Sequence, residues 1–132
     1  MMDSNVSEPS FRYSDEELEE FRGIIQEKLD AARSEYAYLR EVVAGTSNGT
    51  DDTSPTFKHI NEGAETLSKE EASQMAQRQY KFIQNLEAAL VRIENKTYGI
   101  CRMTGKLIPK ERLRLVPHAT LTVEAKEMMN KR

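Results

Sequence analysis

The chain has 132 residues; 38% are hydrophobic, 31% charged and 7% aromatic, with no Trp. That is thin material for a large globular core and ordinary for a coiled coil, where an apolar seam is buried and the rest stays wet. The net charge of −3 hides an asymmetry, because residues 14–94 carry 9 Lys/Arg against 17 Asp/Glu and residues 95–132 carry 9 against 3. The acidic part repels nucleic acid and suits basic protein surfaces, which argues against direct sequence-specific DNA recognition. No apolar run approaches the roughly 20 residues that span a membrane.

Residues 1–13 read as a disordered tail. Met1–Ser10 is polar and lacks the basic and apolar regions of a signal peptide. Cys101 is the single cysteine and has no internal disulfide partner. Together these features place the protein in the cytoplasm.

Ser14-Asp15-Glu16-Glu17 is a capping box, Ser-x-x-Glu, and predicts a helix start. Leu18, Ile25, Ala32 and Leu39 then recur every seven residues, and Leu29, Tyr36 and Val43 form a second row offset by four, with Phe21 one residue off it. Two interleaved rows at heptad spacing make a coiled-coil seam. Gly45 is the expected terminator. From Gly45 to Pro55 the composition is that of a loop. Ser54-Pro55 can cap a short helix through Phe57 and Ile60 that ends at Gly63.

A second capping box, Ser68-Lys69-Glu70-Glu71, opens a second helix. Its rows are Ala72, Gln79, Leu86 and Ile93, and Ala76, Ile83 and Leu90, flanked by Met75, Phe82 and Ala89; the helix ends at or just before Gly99. Tyr36, Tyr80 and Phe82 are expected in the core. Matched seams on two helices joined by a loop imply an antiparallel hairpin over residues 14–97 with a tip loop at about 45–67. A hairpin that pairs with itself needs no second chain, so a monomer is expected. The fold class is all-α: a long antiparallel coiled-coil hairpin followed by a small module in residues 98–132 and a short terminal helix, about Leu121 to Asn130.

The run Ala89-Leu90-Val91-Arg92-Ile93-Glu94-Asn95-Lys96-Thr97-Tyr98-Gly99-Ile100-Cys101 resembles the helix-to-finger junction of the DksA/TraR family. Ile108, Arg112-Leu113 and Pro117-x-Ala119 continue the match at the family's spacing. Members carry a four-Cys zinc finger, and the matching positions here hold Cys101, Thr104, Thr122 and Ala125. Only the first ligand survives, and structural zinc takes four thiolate or imidazole ligands. His118 lies nearby and His59 belongs to the hairpin, and neither completes a set. The expectation is a zinc-finger-shaped module without metal. Burial of Tyr98, Ile100, Met103, Leu107, Ile108, Leu113, Leu115, Val116, Leu121 and Val123 would compensate, at about 1.5–3 kcal/mol for each large side chain fully buried.

The resemblance implies a regulator of transcription that inserts its hairpin tip into the secondary channel of RNA polymerase, with the module outside. The family's tip aspartates do not carry over, because Lys58 and Asn61 stand at those positions. Asp51 and Asp52 in the loop are the candidate replacements, and turn chemistry alone also explains an Asp pair there. Lys106, Lys110, Arg112 and Arg114 are candidates to face the partner near the channel rim, or else a solvated surface. Guanosine tetraphosphate is implied as an effector by the family alone, with no residue assigned. A coiled-coil adaptor for a partner other than the polymerase is the second reading. Nothing points to an enzyme: there is no Ser/His/Asp set, phosphate loop or carboxylate pair on a helix face.

Overall fold

The structure, a computed structural model, describes residues 11–45 and 67–131. Among the described residues four helices follow one another: α1 (Asp15–Ala44), α2 (Lys69–Glu94), α3 (Lys110–Leu115) and α4 (Val123–Asn130). Among the described residues there is no strand, and an isolated antiparallel bridge joins Ile100 to Leu107.

Both capping boxes form. The Glu17 amide donates to Ser14 Oγ at 3.1 Å and the Ser14 amide to the Glu17 carboxylate at 2.9 Å. At the start of α2, Ser68 and Glu71 repeat the exchange at 3.0 and 3.2 Å. These bonds satisfy first-turn amides that have no partner inside the helix. At its other end α1 stops at Gly45, which takes φ +76° and returns its amide to Val42 O.

α2 ends differently. It stops at Glu94, well before Gly99, because Lys96 adopts the left-handed conformation with φ +65°. The Thr97 amide then reaches Arg92 O at 2.9 Å and the Lys96 amide reaches Ile93 O at 3.1 Å. This is the Schellman pattern, built on Lys where Gly is usual.

Packing divides the described residues into two compact units, 27–45 with 67–85, and 11–26 with 86–131. In the first, Tyr38, Leu39, Ala72 and Ala76 form the core, with Tyr36, Val42, Val43, Leu67 and Met75 packed on it. Small residues on α2 thus face large ones on α1. The Tyr36 and Tyr80 rings lie 5.9 Å apart, and Gly45 lies beside the Lys69 side chain, so the helices run antiparallel. Tyr80 was expected in the core but is 51% exposed. It follows Gln79 by one position on the helix, about 100° away from the seam.

In the second unit the seam residues Leu18, Ile25, Leu86 and Ile93 are buried, and so are Phe21 and Ala89, which lie off the strict seam. Phe21 packs between the rings of Tyr13 (5.8 Å) and Tyr98 (5.4 Å), so a residue outside the heptad pattern becomes the floor on which the C-terminal module sits. Of the ten side chains expected to compensate for a lost metal, Tyr98, Ile108 and Leu113 are fully buried, while Met103, Leu115 and Val123 are exposed. Leu113 and Leu115 are about 200° apart on α3, so only one can face inward. The core is completed instead by Tyr13, Phe21, Cys101, Ala119 and Ala125, all of which lie outside or off the heptad rows that marked the helices.

Candidate functional site

The module is built on a tight knuckle. Cys101 and Lys106 face each other through the Cys101 amide (2.8 Å to Lys106 O), and the Gly105 amide closes back on Cys101 O at 2.8 Å. Gly105 supplies the positive φ, +76°, that this reversal needs. The Ile108 amide to Gly99 O, 2.7 Å, extends the pairing. A second segment lies alongside: the Arg102 amide donates to Thr120 O at 2.9 Å and Arg102 Nε to Thr120 Oγ1 at 3.3 Å. Thr122 then caps α4, its hydroxyl accepting from the Ala125 amide at 3.1 Å.

These two segments bring together Cys101, Thr104, Thr122 and Ala125. Cys101 is 1% exposed and Ala125 is fully buried. The Thr122 amide points at Cys101 Sγ at 3.5 Å, and the Thr122 hydroxyl is 3.9 Å from the same sulfur. Burial raises the thiol pKa, but donors from the Thr104 hydroxyl and the amides of Thr122, Thr104 and Met103 outweigh it and bring the thiol to about 6. The amide and the hydroxyl of Thr122 thus both lie against the sulfur.

Two tyrosines lock the module to the helix pair. Tyr98 is fully buried and donates to Pro117 O at 2.8 Å; burial pushes its phenol far above the ordinary range. Tyr13, just before α1, donates to Ile108 O, and its ring fills the space where Gly99 lacks a side chain. A Cβ on Gly99 would lie 2.7 Å from two Tyr13 ring carbons, and Gly99 also has φ +81°. Tyr13 carries no heptad signal, and the sequence reading assigned it to the tail.

The basic residues of the module occupy varied settings. Lys110 Nζ meets the Glu17 carboxylate at 2.5 Å, Arg114 lies 3.8 Å from Glu20, and Arg112 Nε donates to Leu121 O at 2.9 Å. Lys106 is exposed. Lys96, at the left-handed turn, reaches Asp15 at 3.0 Å. The acidic first turns of α1 thus meet the basic module inside one unit. Hydrogen bonds from Lys96 and Arg12 hold the Asp15 carboxyl below its ordinary range, and Lys110 followed by Ser14 does the same for Glu17. His118 is half-buried; burial and then the Arg92 charge lower its pKa. Asp51, Asp52, Lys58, His59 and Asn61, and the short helix expected through Phe57 and Ile60, lie outside the described residues. Among the described residues, no helix is long and apolar enough to cross a membrane.

Comparison with known proteins gives these observations a context. The sequence model of the prokaryotic dksA/traR C4-type zinc finger matches residues 96–127. The chain is similar to General stress protein 16O of Bacillus subtilis (strain 168), 30% identical over 102 residues, which are 76% of this chain and 59% of that protein. It is similar to the RNA polymerase-binding transcription factor DksA of Caulobacter vibrioides (strain NA1000 / CB15N), 44% identical over 55 residues, 42% of this chain and 39% of that one. The matches span less than two thirds of the length of these relatives. In fold it is similar to transcription factor DksA2 from Pseudomonas aeruginosa, with a TM-score of 0.71, 22% identity, and coverage of 98% of this chain and 95% of that one.

A C4 finger holds zinc with four cysteines. At the corresponding positions this chain offers one thiol, two hydroxyls and a methyl, from Cys101, Thr104, Thr122 and Ala125. Structural zinc takes thiolate or imidazole from all four corners of a tetrahedron, so these residues do not fit the ion. Among the described residues, no group of three or more His, Cys, Asp or Glu is gathered in a way that could hold a metal. The knuckle, the capped α4 and the tyrosine-locked junction keep a finger's frame over residues 96–127, the stretch that matches the dksA/traR C4-type zinc finger, and the helix pair with its module shares the fold of DksA2.

Proposed function

We propose that this protein is a transcription regulator that binds RNA polymerase and carries out no catalysis of its own. The observation that carries the reading is the match of residues 96–127 to the family finger, together with the 55-residue stretch shared with a protein named as an RNA polymerase-binding transcription factor. The antiparallel pair of α1 and α2, whose connection lies far from both chain ends in sequence, suits insertion into a channel. In this reading the pair enters through the secondary channel with the segment after Gly45 leading, and the module stays outside. Asp51 and Asp52 bring negative charge toward the catalytic centre.

The module does this work without zinc. On its surface Lys106 is an exposed cation for a partner, while Lys110 and Arg114 would exchange Glu17 and Glu20 for acidic groups of the polymerase. Such an exchange costs little, since exposed ion pairs are worth about 0–1 kcal/mol each. Arg112 contributes by holding the segment before α4 through Leu121 O. The protein acts in the cytoplasm as a monomer, without reading DNA sequence itself. Guanosine tetraphosphate remains an effector implied by the family, with no residue assigned.

The test is binding to purified RNA polymerase from the same source, with promoter transcription measured in parallel, for the native chain and for the Asp51→Asn/Asp52→Asn variant. Binding by both with loss of the transcription effect in the variant supports the reading. Absence of binding by the native chain overturns it and turns attention to an adaptor role for the helix pair.

A further inference from the structure

Zinc in a four-cysteine finger does one structural job. It ties two short chain segments together, one carrying the first Cys-x-x-Cys and one the second. Here those segments are residues 101–104 and 122–125, and they still meet. We infer that a hydrogen-bond node centred on Cys101 Sγ has taken over the cross-link that a metal ion makes elsewhere in the family, so that Cys101 is a structural acceptor rather than the remnant of a ligand set. The inference rests on the reading of the module as zinc-free and adds what replaces the ion.

The position of each residue fits that role. Thr122, at the third ligand position, donates its amide to Cys101 Sγ at 3.5 Å and uses its hydroxyl to cap α4 through the Ala125 amide at 3.1 Å. One residue therefore joins the knuckle to the helix and starts the helix. Thr104, at the second position, receives the Lys106 amide on its hydroxyl at 3.2 Å, which fastens the knuckle turn that carries Cys101. Ala125, at the fourth position, is fully buried, and its small methyl closes the space without a polar atom that would need a partner. Beside the node, the bond from the Arg102 amide to Thr120 O repeats the tie between the two segments.

A sulfur is a weak acceptor, and the node gains its strength from burial. Thr122 is 7% exposed and Cys101 1%, so a donor that loses the sulfur has no water to turn to. Two consequences separate this arrangement from a metal site. A chelator has nothing to remove. A lone buried cysteine has no internal partner with which to form a disulfide, so oxidation cannot unfasten the module in the way it unfastens a four-thiolate finger.

The experiment has two arms. In the first, native protein purified from zinc-supplemented cells is assayed for metal by mass spectrometry and melted with and without EDTA. Zinc far below one per chain and an unchanged melting temperature are expected; one zinc per chain, or a fall in Tm with EDTA, overturns the zinc-free reading itself. In the second, amide hydrogen exchange is followed in native protein and in Cys101→Ala and Cys101→Ser. The Thr122 amide should exchange about tenfold faster in Cys101→Ala, the loss of roughly one buried hydrogen bond, with Cys101→Ser between the two. If the native protein is metal-free and Thr122 stays equally protected in Cys101→Ala, the node falls while the zinc-free reading stands. Should Cys101→Ala fail to fold, Cys101→Ser supplies the same comparison. A Thr104→Cys/Thr122→Cys/Ala125→Cys variant should bind one zinc; failure to do so overturns the claim that the finger's frame persists around the node.

Discussion

Gly99→Ala is the substitution that most directly tests how the module is fastened. The added methyl would lie 2.7 Å from two carbons of the Tyr13 ring and 3.3 Å from Leu113, at a position with φ +81°. The left-handed backbone alone costs a residue with a Cβ about 1 kcal/mol. The larger cost follows from Tyr13, because a gap of 2.7 Å cannot be relieved by a small rotation of a ring packed at 5.8 Å against Phe21. Expelling the ring forfeits its burial, about 1.5–3 kcal/mol, and its hydrogen bond to Ile108 O, about 0.5–1.5 kcal/mol net. The sum is about 3–5 kcal/mol. The assay is urea unfolding followed by circular dichroism, run as a double-mutant cycle with Tyr13→Ala. If the clash is the cause, Gly99→Ala costs only about 1 kcal/mol once the ring is gone, and the coupling energy is about 2–4 kcal/mol. Additive effects within about 0.5 kcal/mol would refute the reasoning and show that Tyr13 does not fasten the module.

The remaining expectations are simpler. Ser68→Ala removes the cap of α2 and should cost about 1 kcal/mol in urea unfolding, with Ser14→Ala similar at α1. Leu113→Ala, at a fully buried position, should cost about 2–5 kcal/mol, whereas Leu115→Ala, 82% exposed, should stay within about 0.5 kcal/mol; equal effects would show that α3 packs by the other face. The folded-state pKa values of Asp15 and Glu17 lie below their ordinary values of 3.8 and 4.5, so their stabilisation is present above those values and is lost as pH falls through the lower folded ones. The urea midpoint should therefore fall between about pH 5 and pH 3. The fall should be shallower in Asp15→Asn/Glu17→Gln, and an identical slope would show that these pairs do not act in solution.

Much of the architecture could be read directly from residue order. Ser14 and Ser68 with glutamates three positions later mark both helix starts, because a capping box is a local exchange of hydrogen bonds that needs no other part of the chain. Leu18, Ile25, Ala32, Leu39, Ala72, Leu86 and Ile93 announce the seam, because heptad periodicity is a property of the helix itself, and all seven are buried. The Thr and Ala at positions where the finger pattern has Cys are likewise legible in the residues alone. What surrounds the seam was not. Phe21 looked like a widening of the heptad row and is the floor of the module. Tyr13 looked like part of a tail and fills the space left by Gly99. Lys110 and Arg114 read as a basic face, and nothing in their own segment shows that they also meet Glu17 and Glu20, more than ninety positions earlier in the chain. Sequence determines what is periodic or local, since those forces act within a few residues. Only the tertiary structure decides which side chain fills a gap or neutralises a charge supplied by a distant segment, because no pattern within either segment encodes the meeting.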